Sequence, residues 1–314
     1  MSFTGVFGLV LLGIIALSLL GPSKLPRGLE ELWLMISNFR RSQAETPPLT
    51  IEQARRIWSE SESPFYGLIQ ILYGAVEHLV ELRTRIFWVF GAMIVGAIAA
   101  AVFVNQILKF LVRPAGDVQM IFLRPVDMLW VYMEVILSVA IVFALPMIAY
   151  QTLMFIRPAL ESEQEIAVFR IIGLLGIPLV AVFFVLGLAF AYLIMLPAML
   201  PFLQGTGGAI AKPSWEIRAY YSFVLTVLMW IGAAFETPLV MTLLARLGLV
   251  SPKTMTRQWR YAFVGIAFVA AAITPTVDPF NMALVMGPLL ALYFLGIGMA
   301  RMVYRPRPGT ASGG

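Results

Sequence analysis

Long apolar segments separated by short polar ones run along the whole chain, and this pattern predicts membrane-spanning helices. A spanning helix needs about 20 mostly apolar residues. Seven candidate segments are found at 3–20, 87–106, 130–155, 169–196, 219–243, 261–274 and 280–299. At about 1.5 Å per residue, 261–274 is too short for a full span and 280–299 is only marginally long enough. We therefore predict an all-α, polytopic membrane protein with seven spans, of which the last two are short.

The first apolar segment, Phe3 to Leu20, has the length of a signal peptide but not its flanks. No basic residue precedes it, whereas Lys24 and Arg27 follow it. A signal peptide has a basic region before the apolar run and a small-residue cleavage site after it. The segment is therefore predicted to be a retained anchor whose N-terminus lies outside and whose basic flank lies inside.

The residues after this anchor predict a hinge followed by an amphipathic helix. Gly21-Pro22 should end the first helix and turn the chain. Between Leu25 and Phe39, apolar residues recur at helical spacing. They are Leu25, Leu29, Leu32, Trp33, Ile36 and Phe39. Such a helix would lie on the cytoplasmic membrane surface, and the alternative is a helix packed against the body of the protein itself.

Residues 42–63 form the longest polar stretch and predict a cytoplasmic linker between two modules. Pro47-Pro48 interrupts this stretch, and Thr50-Ile51-Glu52-Gln53 has the pattern of a capping box that opens a short helix. The predicted organisation is an N-terminal module at 1–41, the linker at 42–63, a six-span domain at 64–305 and a disordered cytoplasmic tail at 306–314.

The distribution of basic residues predicts the orientation. With seven spans and the N-terminus outside, 17 of the 22 Lys and Arg residues fall inside. The five that fall outside are Lys109, Arg113, Arg124, Lys212 and Arg218. Because cytoplasmic loops carry an excess of Lys and Arg, the C-terminus is predicted to be cytoplasmic.

Composition excludes several classes of function. Only 12% of residues are charged and 60% are hydrophobic, whereas a soluble domain is about 25% charged. The chain has no cysteine and one histidine, which excludes thiolate and multi-histidine metal sites. It has neither a G-x-x-x-x-G-K-[ST] loop nor a strand-borne G-x-G-x-x-G motif. We therefore predict no catalytic residues, no metal, no cofactor and no binding of nucleic acid.

The N-terminal module resembles the single-span TatA/TatB subunits of the twin-arginine translocase. The resemblance covers Gly5 to Arg41 and centres on Leu20-Gly21-Pro22-Ser23-Lys24-Leu25-Pro26. It implies a short outside-in helix, a Gly-Pro hinge and an amphipathic helix. The hinge and the start of that helix are then formed by Gly21, Pro22, Lys24, Leu25 and Pro26.

The longer module, from about Pro64 to Arg305, looks like TatC, the multispanning receptor of the same system. The motifs that carry this resemblance follow one another in the family order. They are His78-Leu79-Val80-Glu81-Leu82-Arg83-Thr84-Arg85, Pro146 with Tyr150-Gln151, Phe155-Ile156-Arg157-Pro158-Ala159-Leu160, Phe190-Ala191-Tyr192 with Pro197, Phe235-Glu236-Thr237-Pro238, and Ile273-Thr274-Pro275 with Asp278.

Together the two resemblances imply a fused component of the twin-arginine export system in the cytoplasmic membrane of a prokaryote. Its partners would be twin-arginine signal peptides of folded precursors, other Tat subunits of the TatA/TatB type, and the lipid bilayer, in a homo- or hetero-oligomer. Because the chain has no nucleotide site, the driving force is expected to be the proton-motive force.

The TatC resemblance implies that Glu81 contacts the paired arginines of a signal peptide. A guanidinium presents a planar fork to a carboxylate, which a lysine cannot copy. The alternative is an intrahelical pair between Glu81 and Arg85, which are four residues apart. The neighbours assigned to the same site are Glu77, His78, Arg83 and Arg85.

A second acceptor for the arginine pair is expected in the loop after Pro158-Ala159-Leu160. The family usually has a Glu four residues after that Leu, and here the position is Gln164. Glu161, Glu163 and Glu165 surround it, and Glu163 or Glu165 is predicted to substitute. The alternative is a solvated acidic loop.

Glu236 lies deep within an otherwise apolar run and is therefore a functional candidate. A charge at the centre of a span costs about 2.5–3.5 kcal/mol on insertion scales. The resemblance implies an intramembrane polar patch that thins the bilayer or docks a partner helix. The alternative is a buried hydrogen bond that only organises the bundle.

Two other classes of function compete with protein export. A secondary transporter of a small solute would need ionisable groups that converge at the midplane and a repeat that relates two halves. The sequence shows one deep acid, Glu236, and no convincing repeat. An intramembrane enzyme would need a His or Cys pair or a clustered acid dyad, and the sequence shows neither.

Overall fold

The computed structural model describes residues 64–116, 118–156, 163–205, 214–274 and 279–304, together with Leu34, Asn38, Thr50, Glu52 and Gln53. For residues 64–80, 156, 163–172 and 175 it describes the backbone only. The described residues fall into two compact units, one that ends at Phe90 and one that begins at Gly91. The predicted anchor at 3–20, the hinge residues Gly21 to Pro26 and the tail at 306–314 lie outside the described residues.

Helices dominate the described chain, as the apolar pattern predicts. In chain order the elements are α1 (Pro64–Val112), a 3₁₀ turn (Arg113–Ala115), β1 (Gln119–Ile121), α2 (Asp127–Ile156), α3 (Glu163–Phe190), a π-helical turn (Ala191–Met195), α4 (Leu196–Gly205), β2 (Ser214–Glu216), α5 (Ile217–Phe235), α6 (Thr237–Arg246), α7 (Pro252–Arg257), α8 (Trp259–Ile273) and α9 (Pro279–Val303). The backbone thus satisfies its own hydrogen bonds within helices, which a bilayer requires.

Five stretches of the described chain are long and apolar enough to cross a membrane. They are Glu81–Ala115, Asp127–Phe155, Gly176–Gly205, Ile217–Arg246 and Pro279–Val303. The helix Trp259–Ile273 has only 15 residues, which confirms the prediction that this segment is too short for a full span. The prediction that the last span is also short is wrong, because α9 has 25 residues. The helix begins at Pro279 and extends past the apolar run to Val303. It includes the charged Arg301, which the hydrophobic pattern left outside the span.

The predicted capping box within the linker is confirmed. The backbone N–H of Gln53 donates to Thr50 Oγ1 at 3.4 Å, and the backbone N–H of Thr50 donates to Gln53 Oε1 at 3.1 Å. This reciprocal pair satisfies two N–H groups at the start of a helix. Of the predicted amphipathic helix, only Leu34 and Asn38 are described, and both are helical.

The main core of the C-terminal unit is built from the outer ends of several helices. Here "outer end" means the end of the unit at which α1 ends and α2 and α5 begin. Fully buried members of this core include Val131 and Val135 of α2, Met199 of α4, and Val224 and Val227 of α5. Helices α3 and α5 approach closely at Gly187, where an added Cβ would lie 2.8 Å from Gly232 Cα. Small residues at such crossings let membrane helices pack tightly.

Three tyrosine hydroxyls satisfy backbone carbonyls at the end of α1. Tyr220 Oη donates to Leu111 O at 2.8 Å, Tyr221 Oη to Leu108 O at 3.0 Å, and Tyr192 Oη to Phe110 O at 2.8 Å. The last four carbonyls of a helix have no intrahelical partner, and those of Phe110 and Leu111 are among the last four of α1. In an apolar environment each unsatisfied carbonyl is costly, so these bonds fasten the outer end of α1 to the rest of the bundle.

Removing one of these hydroxyls should destabilise the unit without disturbing the fold. Tyr220→Phe is expected to lower the free energy of unfolding by about 1–3 kcal/mol, since the donor to Leu111 O is lost. Thermal unfolding in detergent measures the change. Tyr261→Phe is the matched control, because Tyr261 is 79% exposed. An identical melting temperature for both variants would contradict the argument.

A short parallel sheet joins two connections at the outer end. Gln119, Met120 and Ile121 of β1 pair with Ser214, Trp215 and Glu216 of β2. Met120 and Trp215 pack against the main core. The sheet therefore fixes the connection before α2 to the connection before α5.

Candidate functional site

Glu81 lies on α1 within the motif that suggests arginine recognition. Its Oε1 accepts a hydrogen bond and ion pair from Arg85 Nη2, four residues further along the helix. The Glu81 side chain is 34% exposed and that of Arg85 18% exposed. The intrahelical pair that the sequence left as an alternative is therefore present.

The other residues assigned to this site share the same helix. Arg83 is exposed, with its guanidinium carbon 5.7 Å from the centre of the Phe87 ring. Glu77 and His78 are helical, and only their backbone is described. Because helical residues three and four apart are neighbours, Glu77, Glu81 and Arg85 fall on one face of α1.

The predicted acidic loop is shorter than the sequence suggested. Helix α3 begins at Glu163, so Glu163 and Glu165 lie in its first turn and not in a loop. The residues Glu163, Gln164, Glu165 and Ala167 favour helix, which explains why the helix begins ahead of the apolar run. Glu161 and the residues 157–162 lie outside the described chain. Glu81 belongs to the N-terminal unit and Glu163 to the C-terminal unit.

Glu236 lies at the junction between α5 and α6. Its backbone N–H donates to Ala233 O at 3.1 Å, and its carbonyl accepts from Val240 N at 3.0 Å. Pro238, two residues later, has no N–H to donate, so the helical hydrogen-bond pattern is interrupted here. The side chain is half-buried, and its Oε1 is a buried oxygen with no hydrogen-bond partner. A buried hydrogen bond to that oxygen, the structural alternative for Glu236, is therefore not formed.

An apolar groove opens beside this junction. It has a volume of about 340 Å³ and is bounded by α5, α6, α8 and α9. Ala233 and Thr237, which flank Glu236 in sequence, line it together with Gly265 of α8 and Tyr293 of α9. The groove is therefore lined by sequence neighbours of Glu236 on both α5 and α6.

A second intramembrane acid has partners, unlike the orphan oxygen of Glu236. Glu134 of α2 accepts a hydrogen bond from Ser222 Oγ of α5 at 3.0 Å. Arg218 is near enough to interact electrostatically with Glu134, and its guanidinium carbon lies 5.2 Å from the centre of the Trp130 ring. Trp130 and Glu134 are four residues apart on α2, and Arg218 and Ser222 are four residues apart on α5. These spacings do not indicate that α2 and α5 face each other.

Within the described residues, no group of three or more His, Asp or Glu side chains is arranged to hold a metal ion. The arrangement that is described is one of acids placed separately along a helical bundle.

Comparison with known proteins assigns the family. A family model described as Sec-independent protein translocase protein (TatC) matches residues 77–288. The TatC protein of Synechocystis sp. is 36% identical over 230 residues, which cover 72% of this chain and 87% of that protein. The TatC protein of Deinococcus radiodurans is 34% identical over 235 residues, covering 72% and 85%.

A chloroplast relative and a solved structure agree with this assignment. The chloroplastic TATC protein of Pisum sativum is 34% identical over 235 residues, covering 73% of this chain and 64% of that protein. A crystal structure of the twin arginine translocase receptor TatC is similar with a TM-score of 0.63 and 32% identity, covering 73% of this chain and 100% of that chain. This membrane-spanning chain therefore belongs to the TatC family of Sec-independent protein translocases, which are transport components and not enzymes.

Proposed function

We propose that this protein binds the twin-arginine signal peptides of folded precursors and helps to assemble the translocation site. The observation that carries the proposal is the similarity to a solved twin arginine translocase receptor, which covers 73% of this chain at 32% identity. Glu81, within the motif that suggests arginine recognition, is 34% exposed and already accepts from one guanidinium, that of Arg85. A signal peptide would supply this group twice.

The remaining acids and bases have supporting parts in this proposal. Glu163 or Glu165, in the first turn of α3, accepts from the second arginine. Glu77 adds negative potential one turn before Glu81, and His78, Arg83 and Arg85 position the carboxylate. On binding, the incoming arginine would replace Arg85 as the hydrogen-bond donor to Glu81.

The N-terminal residues complete the proposal. Residues 1–41 act as a TatA/TatB-like module whose short span and amphipathic helix assist assembly or weaken the bilayer locally. A helix from Phe3 to Leu20 would be about 27 Å long, shorter than the roughly 30 Å hydrocarbon core, which favours thinning. The linker 42–63 connects this module to the TatC-like domain at 64–305. The protein spans the cytoplasmic membrane with its C-terminus inside, associates with other Tat subunits and uses the proton-motive force.

Co-purification of a precursor tests the receptor function. A precursor with an intact arginine pair should co-purify with the protein from detergent-solubilised membranes. Changing both arginines to lysine keeps the charge and removes the planar fork, so the precursor should be lost. Equal recovery of the two precursors would refute recognition of the arginine pair.

A further inference from the structure

Four exposed apolar residues at the outer end of the bundle are not explained by the receptor function. They lie between β1 and α2, and their exposed fractions are 41% for Ile121, 60% for Phe122, 63% for Leu123 and 48% for Val126. We call these four residues the outer apolar patch. They precede the apolar stretch Asp127–Phe155 and so lie outside every span of the described chain.

The outer apolar patch is held in place from both sides. Ile121 pairs with Glu216 of β2, while its neighbour Met120 packs against the core. Asp127, which is fully buried, accepts a hydrogen bond from Arg124 N on Oδ2 at 2.8 Å, and its own N–H donates to Arg124 O at 3.1 Å. These two hydrogen bonds fix the turn, so that the side chains of the patch cannot turn inward and become buried.

The patch continues a surface that faces lipid. Leu129, Trp130 and Met133, on the first two turns of α2, are 63%, 54% and 64% exposed. The stretch Asp127–Phe155 has 29 residues. At 1.5 Å per residue this is about 44 Å, close to the roughly 40–45 Å of a bilayer that includes its headgroups. The residues just before Asp127 are therefore level with the lipid headgroups.

Charged and aromatic side chains at the same level fit a phospholipid interface. Arg218 stacks over Trp130, and Arg113 has its guanidinium carbon 5.9 Å from the centre of the Phe110 ring. Arg124 is exposed beside the patch. Tryptophan and basic side chains are typical of membrane interfaces, where the ring lies among the glycerol groups and the charge meets phosphate.

We propose that the outer apolar patch inserts into the interfacial region of the phospholipid leaflet at the outer end of the bundle. The connection between α1 and α2 is then a membrane anchor that fixes the level and tilt of α2, in addition to its role as a link between two spans. A large exposed apolar patch on a rigid turn needs a non-aqueous neighbour, and the lipid that already covers Leu129 and Met133 supplies it.

Site-directed spin labelling of the full chain tests this proposal directly. The chain contains no cysteine, so Phe122→Cys and Leu123→Cys each create a single labelling position. Leu129→Cys is the lipid-facing control, matched to Leu123 in exposure at 63%. Lys253→Cys, an exposed position on α7 outside every spanning stretch of the described chain, is the water-facing control. Each labelled protein is reconstituted in phosphatidylcholine–phosphatidylglycerol vesicles.

The measured quantity is the ratio of collisions with oxygen, which partitions into lipid, to collisions with a nickel chelate, which stays in water. We expect ratios at Phe122 and Leu123 several-fold above that at Lys253 and approaching that at Leu129. Ratios equal to that at Lys253 would overturn the proposal, because the patch would face water. Spectral broadening that disappears on dilution with unlabelled protein would also overturn it, since a second copy would then cover the patch. No precursor is present, so the result does not depend on the receptor function.

Discussion

Glu81→Gln is expected to weaken strongly the binding of a precursor that carries an arginine pair. The substitution keeps the size of the side chain and removes the charge that a guanidinium recognises. Hydrogen bonds to charged groups contribute about 1.5–3 kcal/mol, so the loss corresponds to roughly 10- to 150-fold in affinity. Equilibrium binding of a fluorescent precursor to the detergent-solubilised protein measures it.

A double-mutant cycle separates recognition from a general loss of structure. The second change is arginine pair to lysine pair in the precursor. If Glu81 contacts that pair, Glu81→Gln should weaken binding of the lysine precursor less than that of the arginine precursor, which leaves a measurable coupling energy. Equal weakening of both precursors would contradict the contact. Glu216→Gln, a half-buried acid on β2, is the control and should bind both precursors as the unmodified protein does.

Stability gives an independent control for the same variant. An ion pair at a spacing of four on a helix contributes about 0.2–0.5 kcal/mol. Glu81→Gln and Arg85→Gln should therefore unfold within that margin of the unmodified protein. A large loss of stability in Glu81→Gln would mean that the pair with Arg85 is structural and that any loss of binding is indirect.

The local features of the fold were predictable because they depend on short stretches of sequence. The length of the apolar segments alone identifies α2, α5 and the short α8. The spacing of three residues between Thr50 and Gln53 identifies a capping box. These features need no knowledge of which helix packs against which. The same reasoning missed the extension of the last helix to Val303 and placed Glu163 in a loop, since polar helical residues carry no hydropathy signal.

Contacts between distant segments were not predictable from one sequence. Strand β1 pairs with β2 although Gln119 and Ser214 are 95 residues apart, and strands of three residues have no periodicity to detect. The bond from Tyr220 to the Leu111 carbonyl and that from Ser222 to Glu134 likewise depend on which faces of two helices meet. For Glu81, the motif indicated the residue, while its pairing with Arg85 was decided by the structure.

Glu236→Leu is expected to stabilise the protein and at the same time to stop transport. Glu236 Oε1 is buried with no hydrogen-bond partner, so the carboxyl contributes cost without a compensating bond. A leucine of similar length removes that cost, which reaches about 3 kcal/mol for a charge at the centre of a span. Unfolding in detergent and precursor export by vesicles or cells measure the two effects. Such opposite changes are typical of a functional residue kept at the expense of stability.

Glu134→Leu provides the matched control, because Glu134 is also a half-buried acid within a span but accepts a bond from Ser222. Its removal leaves Ser222 and Arg218 without that partner and should lower stability by about 1–3 kcal/mol. If Glu236→Leu instead lowered stability to the same extent, Glu236 would be a structural residue like Glu134. If Glu236→Leu were stabilised and exported precursors normally, the carboxyl would have no part in transport. The opposite signs expected for these two acids follow from a single difference, the presence or absence of a partner for the buried oxygen.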